Sequence, residues 1–128
     1  MYVTVGNADK VEYLVNTYQI PRSRIFHSRD ASFYAELMRE TNHRGVDIVL
    51  NSLSGELLHV SWNCVAKQGT MIEIGKRDIL SHGMLPLSPF QHGRSFVVVD
   101  LLSVGSTLGH QYALSRESRD HGTLNRLD

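Results

Sequence analysis

An α/β fold on a parallel sheet is what this sequence predicts. Three observations carry it. Short β-branched runs alternate with longer stretches whose apolar residues recur at helical spacing. Several of the runs close on glycine or a small polar residue. The run at 46–50, VDIVL, is apolar almost throughout, as strands covered on both faces tend to be. Strand and helix alternating in this order imply right-handed crossovers within one sheet.

Residues 2–6 (YVTVG) read as a strand ended by Gly6. Val11, Leu14, Val15 and Tyr18 then place one apolar stripe on a helix over 8–18, which Pro21 prevents from continuing. A second strand is expected at 24–27, around Ile25 and Phe26. Asp30 can cap the next helix by accepting first-turn N–H groups, and Phe33, Leu37 and Met38 form its buried stripe. After Arg44–Gly45 the third strand covers 46–50. A third helix is expected over 54–67, with Leu58, Trp62 and Val65 on one side and Gly69 as its terminator. Residues 70–74 (TMIEI) are the fourth strand, closed by Gly75. Residues 79–94, with Gly83, Pro86, Pro89 and Gly93, read as a loop holding one helical turn, and 95–101 as the fifth strand. From Ser103 onward the chain is polar and rich in glycine and serine, and is expected to be poorly ordered.

A chain of 128 residues is one domain or a large piece of one. Thirteen basic against thirteen acidic residues leave no excess to neutralise phosphates, which argues against a nucleic-acid partner. No apolar run approaches the roughly 20 residues that cross a membrane, and the N-terminus lacks the zones of a signal peptide. The single cysteine, Cys64, excludes an intrachain disulfide and reads as a small buried residue in a reducing, cytoplasmic setting. Seven histidines show no metal-binding spacing with it.

In open α/β sheets ligands bind beyond the carboxyl ends of the strands. The first places to look are therefore VGNADK, NSLSG and EIGKRD, which follow the first, third and fourth strands. Such turns occur in every α/β domain, so on this ground alone they are equally plain connections.

Their order adds to the signal. The runs VGNADKVEYLV, IFHSRDASF, GVDIVLNSLSGELL, EIGKRDIL and SFVVVDL, across residues 2–102, resemble the enoyl reductase domain of multidomain polyketide synthases. That domain belongs to the medium-chain dehydrogenase/reductase superfamily and is similar to its counterpart in animal fatty-acid synthase. NSLSGE and EIGKRDI are its specific parts. The resemblance implies a partial Rossmann-type sheet at 1–102 that starts at the family's second strand. The family's first strand and Gly-rich turn are then missing, and no GxGxxG occurs in the chain. In the Rossmann order 3-2-1-4-5-6 that strand is central. Two strand edges are therefore expected to face each other across a gap that closes, stays open or is filled by another chain.

The resemblance also implies chemistry: NADPH-dependent reduction of the double bond of an enoyl thioester on an acyl carrier protein, beside the other synthase domains. Lys76, in EIGK, matches a donor to the enolate, and Asp100, in VVVDL, the carboxylate near it. Lys10 follows the turn at Gly6 and Asn7, where a basic group meets the adenosine 2′-phosphate; Asp9 beside it leaves an NAD-type ribose contact open. Asn7 stands where serine is common in the family. Arg29 is a second basic residue for the adenosine end, or a surface arginine paired with Asp30 or Glu36. Asn51 and Ser52 match the nicotinamide side, or are turn residues. Gly75 lets the backbone approach the cofactor before Lys76.

Without the pyrophosphate-binding turn and the substrate domain, the chain is expected to reduce nothing alone. Two other readings remain: a non-catalytic remnant that acts through its open edges, and a reductase of small enones or quinones from the same superfamily.

Overall fold

The computed structural model describes residues 1–103. The chain divides between Val98 and Val99 into two units. The first holds β1 (Val3–Val5), α1 (Ala8–Tyr18), β2 (Ile25–His27), α2 (Ser32–Glu40), β3 (Val46–Asn51), α3 (Glu56–Asn63), β4 (Val65–Glu73), α4 (Arg77–Leu80) and β5 (Ser95–Val98). In the second, residues 101–103 are helical. The expectation of a poorly ordered tail falls, from residue 104 on, outside the described residues.

Among the described residues every strand pairing is parallel. β1 lies beside β2, with Val3 opposite Ile25 and Val5 opposite His27. β4 lies between β3 and β5. β1 and β3 share no sheet, so the strands form two groups, β1-β2 and β3-β4-β5. A cleft of about 1060 Å³ runs between β1 and the length of β3. The gap expected from the strand order stays open.

Local chemistry explains most element ends. Asn7 caps α1, its side-chain oxygen accepting the Lys10 N–H at 3.0 Å. Asp30 accepts the Ser32 N–H at 2.9 Å, one residue ahead of the cap position at Ala31. Before β3 the backbone turns at Gly45, with φ of 81°, and an added Cβ would lie 2.5 Å from the Cys64 carbonyl oxygen. Only glycine suits both conditions. That carbonyl accepts the Val46 N–H at 2.9 Å and so anchors the start of β3.

Two clusters form the core. Phe26, Phe33, Leu37 and Cys64 pack together with Tyr2 and Val49 beside them. Leu58, Trp62, Val65 and Met71 make the second. Trp62 is 1% exposed, with Phe90 4.9 Å away ring to ring and Phe96 edge-on at 5.8 Å.

Several expectations need correction. The third helix stops at Asn63, and Val65–Gly69 belong to β4. Gly69 is no helix terminator; it sits inside β4 because a Cβ there would meet the Asp47 carbonyl oxygen at 2.8 Å. The pairing also shifts register, from Val46–Val65 to Ile48–Thr70, leaving extra residues of β4 bulged around Gln68, whose φ is 63°. β3 is covered on one face only. Val49 packs on the core, whereas Ile48 and Leu50 are 67% and 68% exposed. In α1 the stripe stops short: Tyr18 is exposed and sits edge-on to Tyr13. The fifth strand ends at Val98, and the chain turns helical by residue 101. Among the described residues no helix is long and apolar enough to cross a membrane.

Candidate functional site at the strand ends

The strand ends assemble most of the expected site. Gly6 and Lys10, after β1, line the cleft from one side, and Asn51 and Ser52, after β3, line it from the other. Arg29 lies over Gly6: a Cβ on that glycine would be 3.1 Å from Arg29 Nε and 3.8 Å from Ser28 Oγ. Lys10 and Arg29 are exposed, as is Asp9 beside Lys10. Asn7 spends its side-chain oxygen on the helix cap.

After β4, Gly75 lies against the loop that follows β3, its built Cβ 3.4 Å from the Ser52 carbonyl oxygen. Lys76 follows, exposed, at the start of α4, its carbonyl accepting the Leu80 N–H at 2.9 Å. Two further contacts tie these loops together. Asp78 accepts the Gly55 N–H at 2.9 Å, and Arg77 donates to Ser54 Oγ at 3.3 Å.

Asn51 is buried, and its amide nitrogen donates to the Leu53 carbonyl at 2.8 Å and to Glu73 Oε2 at 2.6 Å. Its N–H groups therefore shape the loop that carries Ser52. Glu73, 1% exposed, also accepts the Gly75 N–H at 2.6 Å through Oε1. A buried carboxylate needs such donors, since desolvation without them is expensive. Sequence reasoning missed Glu73, Arg77 and Asp78. The signal for Glu73 was there, a lone carboxylate in the apolar run TMIEI.

Asp100 belongs to the second unit. Its carboxylate caps the helical turn at 101–103, accepting the Leu102 N–H at 3.1 Å and the Ser103 N–H at 3.4 Å.

A family model described as zinc-binding dehydrogenase matches residues 23–125. The chain belongs to the zinc-binding dehydrogenase family. Within that family it is a Rossmann-like nucleotide-binding subdomain of the enoyl reductase type. The solved nucleotide-binding subdomain of the enoylreductase domain of PpsC from Mycobacterium tuberculosis is 31% identical, with a TM-score of 0.75 over 99% of this chain and 70% of that one. A solved putative enoyl reductase domain of polyketide synthase is 30% identical, with a TM-score of 0.71 over 99% and 68% of the two chains. Among curated proteins, the highly reducing polyketide synthase sphB of Aspergillus fumigatus is 57% identical over 101 residues, 79% of this chain. The synthase lcsB of Purpureocillium lilacinum is 56% identical over 113 residues, 88% of this chain. The chain spans about 4% of the length of each of these synthases.

The family's description raises the question of zinc, and the residues present do not fit it. Among the described residues no three of His, Cys, Asp and Glu converge. Burial pushes the Cys64 thiol up to about 12, away from the thiolate that zinc requires, and Sγ contacts the Val60 carbonyl at 3.4 Å. A nucleotide fits the strand ends better. Glycines there bring the backbone close, and two cations stand at the β1 and β2 ends.

Proposed function

We propose that this chain is the cofactor-binding part of an NADPH-dependent enoyl reductase that reduces the α,β double bond of an enoyl thioester on an acyl carrier protein. The reaction belongs to polyketide assembly in the cytoplasm, alongside other domains of a synthase. The observation that carries the reading is the meeting of Gly6 and Lys10 with Asn51 and Ser52 across one cleft, with Gly75 beside Ser52 and Lys76 next in the chain. The likeness to a nucleotide-binding subdomain of an enoylreductase domain and to a putative enoyl reductase domain of polyketide synthase supports it.

NADPH, when bound, supplies the hydride that reaches the β-carbon. The chain's own residues do the rest. Lys10 meets the adenosine 2′-phosphate, with Arg29 beside Gly6 as a second cation for that end. Asn7 holds the first turn of α1 open to a phosphate oxygen by fixing the helix start. Asn51, held by Glu73, sets the loop on which Ser52 faces the nicotinamide side. Gly75 lets the backbone come close there. The Lys76 ammonium stabilises negative charge on the thioester oxygen as the double bond is reduced, and its Nζ proton is positioned for the α-carbon. By the resemblance, Asp100 is an orienting carboxylate of the same reaction. Alone, the chain is expected to turn over no substrate, because it contains no Gly-rich turn to meet the pyrophosphate.

The test is Lys76→Ala in a reductase domain that contains this segment. Turnover of a crotonyl thioester is expected to fall at least tenfold with NADPH affinity nearly unchanged. Unchanged turnover would reduce Lys76 to a loop residue.

A further inference from the structure

Lys76 carries its ammonium on a flexible four-carbon stem, so the place of that charge depends on how firmly the backbone is held. The chain around it does not hold itself. α4, Arg77–Leu80, has four residues, and an isolated helix of one turn is not stable in water. Lys76 stands at the start of that turn, exposed, its carbonyl accepting the Leu80 N–H at 2.9 Å. What fixes the segment comes from outside it. Behind Lys76, the buried Glu73 carboxylate holds the Gly75 N–H at 2.6 Å. Ahead of it, Asp78 Oδ2 accepts the Gly55 N–H at 2.9 Å, a contact 23 residues apart in the chain. Only Lys76 and Arg77 lie between these two anchors.

Gly55 is shaped for its end of the bond. Its φ of 62° and ψ of −133° lie where side chains are not tolerated. A Cβ built on it meets nothing within 4 Å, so glycine is needed there for the angle and not for room. At that angle its N–H reaches Asp78, and α3 begins without a side-chain cap of its own. A carboxylate on a backbone N–H makes one of the stronger hydrogen bonds. Arg77 adds a longer tie to the same loop, donating to Ser54 Oγ at 3.3 Å.

We propose that Asp78 is a positioning residue for enoyl reduction: through the Gly55 N–H it sets where Lys76 stands relative to Ser52. It touches neither substrate nor cofactor and acts through Lys76. The loop that holds Gly55 also carries Ser52, so one bond fixes the donor against the nicotinamide side. Glu73 alone does not complete the alignment, because the chain after Gly75 would still be free to turn. The bond lies at the surface and adds little to stability. Its weight is in alignment, since a shift of roughly 1 Å near reacting groups can cost about a hundredfold in rate. The inference rests on the reductase reading of Lys76.

The test uses a reductase domain that contains this segment, with NADPH and a crotonyl thioester. Asp78→Ala is expected to lower kcat about tenfold or more, with the Kd for NADPH within about twofold of the parent. Asp78→Asn keeps an acceptor oxygen for the Gly55 N–H and is expected to bring kcat back to within about threefold of the parent. In a Lys76→Ala background, Asp78→Ala is expected to lower kcat by less than about twofold, because the group it positions is gone. If the melting transition shows that Asp78→Ala does not fold, Asp78→Glu takes its place. It keeps the charge on an arm one methylene longer, and the same pattern is expected. Undiminished kcat in the Asp78 variant, while Lys76→Ala is impaired, overturns the proposal and leaves the reductase reading standing. A full loss in the Lys76→Ala background, or a loss that Asp78→Asn does not relieve, overturns it as well. No loss from Lys76→Ala itself defeats the reductase reading, and the proposal falls with it.

Discussion

The Glu73 carboxylate accepts the Asn51 side-chain N–H at 2.6 Å, joining the last residue of β3 to the last residue of β4 in the interior. Through its other oxygen Glu73 holds the Gly75 N–H. The loops that carry Ser52 and Lys76 thus share one buried anchor. Glu73→Ala leaves the Asn51 and Gly75 donors unpaired and is expected to destabilise the chain by about 2–4 kcal/mol, since each buried orphan costs on the order of 1–3 kcal/mol. Glu73→Gln retains an acceptor oxygen and should lose less. Urea unfolding of both variants measures the order; equal stability of Glu73→Ala and the parent contradicts the anchor.

Trp62 fills the space between Phe90, Phe96 and the second core cluster. Trp62→Ala is expected to cost about 3–5 kcal/mol through lost burial and a residual cavity. Trp62 Nε1 is buried without a hydrogen-bond partner among the described residues. Trp62→Phe removes that group and should cost distinctly less. Thermal melts of the two variants decide the order.

Burial raises the Cys64 thiol from its ordinary 9.0 to about 12. Between those values the unfolded chain has released the thiol proton and the folded chain has kept it. Stability is therefore full below pH 9 and falls as pH rises toward 12, by up to about 1.4 kcal/mol per pH unit from this group. Cys64→Ala should flatten that part of the pH profile, read by denaturant unfolding at pH 8, 9 and 10. Alkylation of Cys64 in the native chain should be far slower than in the urea-unfolded chain.

Lys10 stands at the end of the cleft where the reading puts the 2′-phosphate. In a reductase domain carrying this segment, Lys10→Ala is expected to weaken NADPH binding by about 1–3 kcal/mol and leave NADH binding nearly unchanged. Titration by nucleotide fluorescence measures both; an equal loss for the two nucleotides contradicts the assignment.

The strand ends were legible in the sequence because each announces itself locally. Gly6, Asn51 and Gly75 close β-branched runs, and the polar residues after them can go nowhere but the carboxyl edge. What joins those ends was not legible, because Glu73 and Asn51 are 22 residues apart and no periodicity connects them. The end of α3 was misread for a physical reason. Leu58, Trp62 and Val65 are spaced as a helix face, yet Val65 opens β4 and stays buried in the same cluster. Ile48 and Leu50 read as doubly covered residues of a central strand, and they are exposed because they stand on the face of β3 opposite Val49, away from the core.

If this chain is the cofactor-binding part of an enoyl reductase, it can replace the corresponding part of a related synthase. The most direct measurement replaces the matching stretch of the synthase sphB, 57% identical over 101 residues, with this chain's residues. Purified chimera, shown folded by its melting transition, is given NADPH and a crotonyl thioester. Saturable NADPH oxidation with reduction of the double bond is expected, and it is lost on Lys76→Ala. A folded chimera that binds NADPH and leaves the thioester untouched, while the unaltered synthase reduces it, would overturn the enoyl reductase assignment.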